Sequence, residues 1–92
     1  MVVAFAAEAG LNVERAREKL RAKGADAIVL NDITVPGLGF GADRNAVTFL
    51  TEWGATEIPE AHKDEVAERI LDEVVRLRRS LPVGSEAALQ SY

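Results

Sequence analysis

Three cationic side chains share one face of a short predicted helix near the start of the chain. Arg15, Lys19 and Lys23 are spaced i, i+4 and i+8, so they fall on one side of a helix. No acidic residue lies three or four positions from Lys19, and the pattern predicts a stripe of unneutralised cations. Such a face is most often a solvated basic surface, but it also suits the phosphates of a nucleotide. Spacing alone leaves both interpretations open.

A strand–helix–strand unit is predicted to position this face. The apolar run 2–7 predicts a buried strand, and residues 27–30 predict a second one. Between them, residues 13–23 have helical periodicity, with Asn12 as N-cap and Gly24 as a left-handed C-cap. Strand, helix and strand within about 30 residues indicate a βαβ unit with parallel strands.

The rest of the chain predicts a hairpin and a long helix. Residues 33–45 read as a glycine-rich loop, 47–50 as a strand, and 56–58 as a short return strand that Pro59 ends. Residues 63–79 predict a helix. Its apolar face comprises Val66, Ile70, Val74, Leu77 and Leu81, widened by Ala67, Leu71 and Val75.

These elements predict an α/β fold of two or three layers. It is a Rossmann-like fragment in which the βαβ unit is followed by a β-hairpin and a long C-terminal helix. We assign residues 1–80 to one domain segment and residues 81–92, which have no sustained pattern, to a C-terminal tail.

Several side chains near the predicted strand ends could contact a ligand. Phe5 is either a core residue or a contact to a base or ribose, since open α/β sheets bind ligands at the carboxyl ends of their strands. Asn31 and Asp32 end the second strand and either form a turn or make a polar contact to substrate or to the glycine-rich loop. Phe40, between two loop glycines, favours a plug into the core over a ligand contact. Glu8 and Asp43 offer a weak site for a magnesium ion carried by a nucleotide.

Composition excludes several functional classes. The 92 residues carry a net charge of −4, which argues against general nucleic-acid binding. There is no cysteine, which excludes disulfides and a cysteine nucleophile. With a single histidine, His62, the composition also argues against a classical zinc site, and we expect His62 to have a surface role. No apolar run approaches the roughly 18–20 residues that span a bilayer. We therefore expect a cytoplasmic protein without a protein-held metal, nucleic-acid partner or membrane contact.

Four motifs in order resemble the C-terminal part of phosphopantothenate–cysteine ligase. They are FAAE, AREKLRAKGAD, a buried strand running into ND, and GFGADRNAV, and together they cover about residues 2–79. Members of this family usually read GFAAET, NDV and GFGSDxN. This chain departs mildly at Ala4, Ala9, Ile33 and Ala42.

The resemblance implies a function and a set of contacts. In bacteria the ligase is usually fused to phosphopantothenoylcysteine decarboxylase in coenzyme A biosynthesis, and FMN belongs to that decarboxylase half, which is absent here. The ligase uses CTP and Mg²⁺ to join 4′-phosphopantothenate to cysteine through an acyl-cytidylate. The family's nucleotide contacts match Phe5, Lys19 and Lys23, with no residue assigned as an acid–base catalyst. Ala22 stands where many members carry another basic residue.

The resemblance also implies what lies outside the chain. The family's upstream half carries further nucleotide and substrate motifs, so we expect this chain to be an excised or truncated segment that is inactive alone. We expect the full protein to be a homo-oligomer. A rival from another class is a non-catalytic interaction or dimerisation domain that pairs through an exposed sheet edge. A weaker rival is a Rossmann-like fragment that binds another nucleotide.

Overall fold

A four-stranded mixed sheet lies between two helices. The computed structural model describes residues 1–10, 12–32, 34, 36 and 43–80. In chain order its elements are β1 (Val3–Glu8), α1 (Val13–Ala22), β2 (Ala27–Asp32), β3 (Arg44–Thr51), β4 (Ala55–His62) and α2 (Lys63–Ser80). The strand order is β1-β2-β3-β4, with β1 parallel to β2 and the other two pairs antiparallel. The predicted βαβ unit, hairpin and long helix are confirmed.

Both ends of α1 are closed by the residues that the sequence indicates. The side chain of Asn12 accepts a hydrogen bond from the backbone N–H of Arg15 at 3.1 Å, as an N-cap does. After the helix, Gly24 adopts a φ of +61°, and the N–H of Ala25 donates to the carbonyl of Leu20 at 3.0 Å. This is the hydrogen-bond pattern of a Schellman C-cap, which favours glycine because a Cβ is strained at positive φ.

The two helices cover opposite faces of the sheet. Side chains alternate between the faces of a strand, and the buried residues separate into two clusters accordingly. The cluster under α1 contains Ala16, Leu20, Ile28, Leu30 and Leu50. The cluster under α2 contains Ala27, Val29, Val47, Phe49, Ile58, Ala61, Val66 and Leu77. The architecture is therefore three-layered, and the two inner strands, β2 and β3, contribute buried residues to both clusters.

The packing face of α2 is narrower than the sequence predicts. Val66 and Leu77 are buried, and Ile70 and Val74 pack against the same cluster. Leu71, in contrast, is 62% exposed and Val75 is 49% exposed. Ala67 is exposed as well. The prediction that Ala67, Leu71 and Val75 widen the packing face is wrong, because α2 rests on β3 and β4 with only one stripe of its surface.

The prediction that Pro59 ends the return strand is also wrong. Pro59 lies inside β4, which continues to His62. The pairing register shifts between Asn45 and Val47 of β3, so residues 59 and 60 stand opposite Ala46. A proline has no N–H to give to a sheet, and strands accommodate it at an edge or a bulge. Since β4 is the last strand of the sheet, both conditions hold here.

Some predictions fall outside the described residues. These are the conformation of most of the glycine-rich loop, the plug formed by Phe40, the apolar contact of Leu81 and the tail 81–92. Within the described residues, no helix is both long enough and apolar enough to cross a membrane.

Candidate functional site

The turns that follow β1 and β2 are tied together at one edge of the sheet. In the parallel pairing, Glu8 lies opposite Asp32, so both strands end at the same level. The carboxylate of Asp32 accepts a hydrogen bond from the backbone N–H of Gly10 at 3.0 Å. Gly10 has a φ of +84°, a left-handed conformation that favours glycine. This tie sets the direction in which the chain leaves β1 for α1.

Asp32 also organises its own turn. Its Oδ1 accepts from the backbone N–H of Thr34 at 2.9 Å and from the hydroxyl of Thr34 at 2.6 Å. Hydrogen bonds from the Thr34 side chain, then from the Thr34 and Gly10 backbones, lower the pKa of Asp32, while burial acts in the opposite direction. These contacts are those of the turn interpretation, and Asp32 as a substrate contact stays a prediction.

Lys19 is not an unneutralised cation, which corrects the sequence-based expectation. Its Nζ donates a hydrogen bond to Oε1 of Glu8 and forms an ion pair with it. The side chain of Glu8 is 18% exposed and that of Lys19 is 37% exposed. The partner lies on the preceding strand rather than on the helix, so the i±3 and i±4 positions could not reveal it.

Arg15 and Lys23 complete a cationic cluster around Glu8, which we call the Glu8 cluster (Glu8, Arg15, Lys19 and Lys23). The hydrogen bond from Lys19 is the main cause of a lowered pKa at Glu8, and the positive charges of Lys19, Arg15 and Lys23 lower it further against the effect of burial. Within the described part of the chain, Arg15 and Lys23 make no ion pair of their own. Three cations and one carboxylate leave the cluster with a formal charge of +2.

A small cleft lies beside this cluster. It has a volume of about 230 Å³ and is bounded by the end of β1, the turn and the first turns of α1. Its lining includes Glu8, Gly10, Asn12, Arg15 and Leu30. The position is the carboxyl end of two parallel strands next to a helix N-terminus, where α/β sheets bind anionic ligands.

Phe5 and Lys19 lie on opposite sides of β1. Residues two apart in a strand share a face. Glu8 therefore shares the face of Ala4 and Ala6, which pack under α1, whereas Phe5 shares the face of Val3, which packs against the cluster under α2. Phe5 is 58% exposed, so its interpretation as a core residue is wrong. A single ligand could touch both Phe5 and Lys19 only by passing around the outer edge of β1.

Asn31 shares with Val29 the face of β2 under α2. Its side chain is buried there and is only 2% exposed. Its Oδ1 has no hydrogen-bond partner among the described residues. Asn31 lies within β2, paired with Ala7 of β1 and Val47 of β3, so its interpretation as a turn residue is wrong. A buried amide oxygen without a donor is unfavourable, and Asn31 as a substrate contact stays a prediction.

The remaining candidates do not assemble into a metal site. Among the residues that the structure describes, no three His, Cys, Asp or Glu side chains converge in a way that could hold a metal ion. Glu8 is engaged by Lys19, and Asp43 accepts the backbone N–H of Lys63 at 2.8 Å through its carbonyl. His62 is exposed, and its Nδ1 accepts the N–H of Asp64 at 3.3 Å.

A larger cavity of about 530 Å³ lies at the other end of the sheet. It is formed by the β3–β4 turn and the last turns of α2, with Phe49, Trp53, Arg76 and Leu77 among its lining residues. Arg76 has an acidic neighbour, Glu73, at 3.7 Å on its own helix. The cavity therefore lacks a group of cations comparable with the Glu8 cluster, and size alone does not make it the better site.

Helical spacing reveals the three cations of α1 but not Glu8 as their partner. The alternation of β1 contains a signal for this partner, because Glu8 lies on the same face of the strand as the small residues Ala4 and Ala6, which face α1. Glu8, at the end of β1 on this face, lies beneath α1, and Lys19 on the basic face of that helix is its partner.

Comparisons with known proteins match most of the chain. The model of a family described as "DNA/pantothenate metabolism flavoprotein C-terminal domain" matches residues 1–77. The Coenzyme A biosynthesis bifunctional protein CoaBC of Bacillus subtilis is 42% identical over 80 residues, which cover 86% of this chain and 20% of that protein. The protein of the same name from Escherichia coli is 38% identical over 74 residues, covering 80% of this chain and 18% of that protein.

A solved structure agrees with the fold. The C-terminal domain of a Coenzyme A biosynthesis bifunctional protein CoaBC superposes with a TM-score of 0.65 at 34% identity, over 86% of this chain and 35% of that one. The chain thus spans about a fifth of the length of the curated relatives and about a third of this neighbour.

Proposed function

The chain belongs to the family of the DNA/pantothenate metabolism flavoprotein C-terminal domain, and on that premise we propose that it is the nucleotide-binding part of a phosphopantothenate–cysteine ligase. In this proposal it serves coenzyme A biosynthesis and binds CTP at the edge of β1 and α1. The relatives from Bacillus subtilis and Escherichia coli, which are named for coenzyme A biosynthesis, support the pathway.

The observation that carries the proposal is the Glu8 cluster. It consists of three cations on one face of α1 whose charges act on the carboxylate at the end of β1. Glu8 and Arg15 of the cluster also line the neighbouring cleft. Lys19 and Lys23 would each bind phosphate oxygens of the nucleotide through charge-assisted hydrogen bonds. Phe5, exposed on the other face of β1, would contact the base or ribose of a ligand that passes around the strand's outer edge.

The proposed reaction requires positioning and charge neutralisation more than acid–base chemistry. The carboxylate of 4′-phosphopantothenate attacks the α-phosphate of CTP, which forms an acyl-cytidylate and releases pyrophosphate. The cysteine amine then attacks the acyl carbon, loses a proton, and displaces CMP. Negative charge develops on the phosphates in the first step, and fixed cations such as Lys19 and Lys23 stabilise it.

Magnesium would enter with the nucleotide. No group of three potential metal ligands forms among the described residues, so the cation's ligands in this proposal are mainly phosphate oxygens and water, as is usual for Mg²⁺ with nucleotides. The protein's own contribution is the cationic face of α1.

Titration calorimetry with Mg·CTP tests the nucleotide site. We expect Lys19→Ala and Lys23→Ala each to weaken binding about tenfold, because each removes one charge-assisted contact. Lys63→Ala is the matched control, since it removes a lysine at the start of α2, away from the Glu8 cluster. Circular dichroism of each variant establishes that the fold is retained.

Equal affinities in all four proteins would contradict the assignment of the site. The outcome would instead favour the second candidate function, a non-catalytic dimerisation or interaction domain, if the chain also formed a stable dimer in sedimentation. One observation supports that candidate: β1 is an outer strand of the sheet, Phe5 on it is exposed, and the exposed Val2 immediately precedes it.

A further inference from the structure

Glu8 stands where an anionic ligand would have to approach the cations. It is the last residue of β1, its side chain is 82% shielded, and its carboxylate forms an ion pair with Lys19. Arg15 and Lys23 are close enough for their charges to act on the same carboxylate. A phosphate group that bound Lys19 directly would compete with the Glu8 carboxylate for the same positive charge, and the two anions would repel each other.

We propose that Glu8 is an internal competitor for the phosphate site. Its carboxylate holds Lys19 when no ligand is present and gives Lys19 up when a polyphosphate binds. This inference rests on the proposed function, because it assumes that Lys19 and Lys23 bind phosphates.

The charges of the cluster favour this exchange for a polyphosphate. One carboxylate neutralises one of three cations and leaves a formal charge of +2. A triphosphate carries enough negative charge to meet all three cations, so it gains contacts that Glu8 cannot make. The exchange nevertheless breaks an existing ion pair, and Glu8 thereby lowers the affinity of the site.

The alternative to competition is that Glu8 positions Lys19 before the ligand arrives. A free lysine side chain samples many rotamers, and ordering it on binding is entropically unfavourable. The ion pair with Glu8 holds the Nζ of Lys19 at the end of β1, beside the cleft. A positioning role alone predicts that loss of Glu8 weakens binding, whereas competition predicts that it strengthens binding, so the two are experimentally distinct.

The first test measures binding of sodium tripolyphosphate without divalent cations, by NMR titration of the 92-residue chain. We expect Glu8→Gln to tighten binding roughly two- to fivefold, the range measured for loss of a partly exposed ion pair. Glu18→Gln is the matched control, because it makes the same change in net charge on α1. We expect it to have a smaller effect than Glu8→Gln.

Each outcome of this titration decides a different point. Tripolyphosphate binding that Glu8→Gln leaves unchanged, or weakens, would overturn the competition while leaving the phosphate site in place. Binding that shifts no amide signals at Lys19 or Lys23 in any protein would overturn the proposed site and the competition together.

A second measurement needs no substitution. The ¹³C signal of the Glu8 side-chain carboxylate in the unaltered protein is expected to move towards that of a solvated glutamate as tripolyphosphate saturates the site. The Glu18 carboxylate signal serves as the internal reference. Amide shifts at Lys19 and Lys23 with a stationary Glu8 signal would show that the anion binds without displacing Glu8, and would overturn the inference even if Glu8→Gln failed to fold.

Discussion

At the scale of single residues, two carboxylates link the site to stability. Glu8 is held by Lys19, and Asp32 is held by Thr34 and Gly10. In both cases the hydrogen bonds lower the pKa below the ordinary values of 4.5 and 3.8. The ionised forms are therefore more favourable in the folded state than in the unfolded chain.

The sign of the resulting pH dependence follows from linkage. A folded-state pKa below the unfolded value adds stability above the unfolded pKa, and that stability is lost as the pH falls through the folded pKa. We expect the free energy of unfolding to decrease as the pH is lowered below about 4.5, and to decrease less in Glu8→Gln and Asp32→Asn. Urea denaturation across the acid range measures this effect.

Lys63→Ala is the control for these variants, since Lys63 contacts neither carboxylate and should keep the acid dependence of the unaltered chain. If Glu8→Gln and Asp32→Asn kept the same acid dependence as the unaltered chain, neither the ion pair of Glu8 nor the turn hydrogen bonds of Asp32 would stabilise the fold.

At the scale of elements, local sequence signals predicted the helices well. Asn12 and Gly24 cap α1 as expected because caps depend on a few neighbouring residues. The packing face of α2 was less predictable. Its apolar residues are consistent with a wide face, but which of them touch the sheet depends on where the helix axis lies over β3 and β4.

This difference gives a prediction for α2. Leu77→Ala is expected to lower the free energy of unfolding by about 2–4 kcal/mol, because Leu77 is 6% exposed and its loss leaves a cavity in the core. Leu71→Ala, the same substitution at a position 62% exposed, is expected to cost under about 0.5 kcal/mol. Chemical denaturation compares the unfolding free energies of the two variants directly. Equal losses would contradict the observed packing of α2 on the sheet.

At the scale of the whole molecule, the proposed site consists of the Glu8 cluster and the cleft beside it, whereas the proposed reaction uses three substrates. The chain spans about a fifth of the length of its curated relatives. We therefore expect the 92-residue chain to bind Mg·CTP without turning it over. Its own residues would neutralise phosphate charge, and the remaining substrate contacts would come from elsewhere in a complete enzyme.

A pyrophosphate-release assay with CTP, 4′-phosphopantothenate and cysteine checks this expectation. Release no faster than in a sample without 4′-phosphopantothenate is the expected result. Clear turnover by the 92-residue chain would sink the view that it is only part of the catalytic unit, and Lys19→Ala would then report whether that turnover uses the proposed site.

Fold class, element order and the position of the cationic face on α1 could all be predicted from the sequence. Apolar runs, helical spacing and caps are short-range properties, so they can be recognised without knowledge of neighbours in space. The three cations of α1 were found in the same way, because their spacing is a property of one helix.

The tertiary structure alone decided which side chains meet. It paired Lys19 with Glu8, placed Phe5 on the opposite face of β1, and carried β4 through Pro59 by means of a bulge at the sheet edge. Each of these depends on strand register and on how the helices sit on the sheet. The cationic face that spacing predicted to be unneutralised is thus a cluster with a carboxylate at its centre, because folding brings the end of β1 beneath α1.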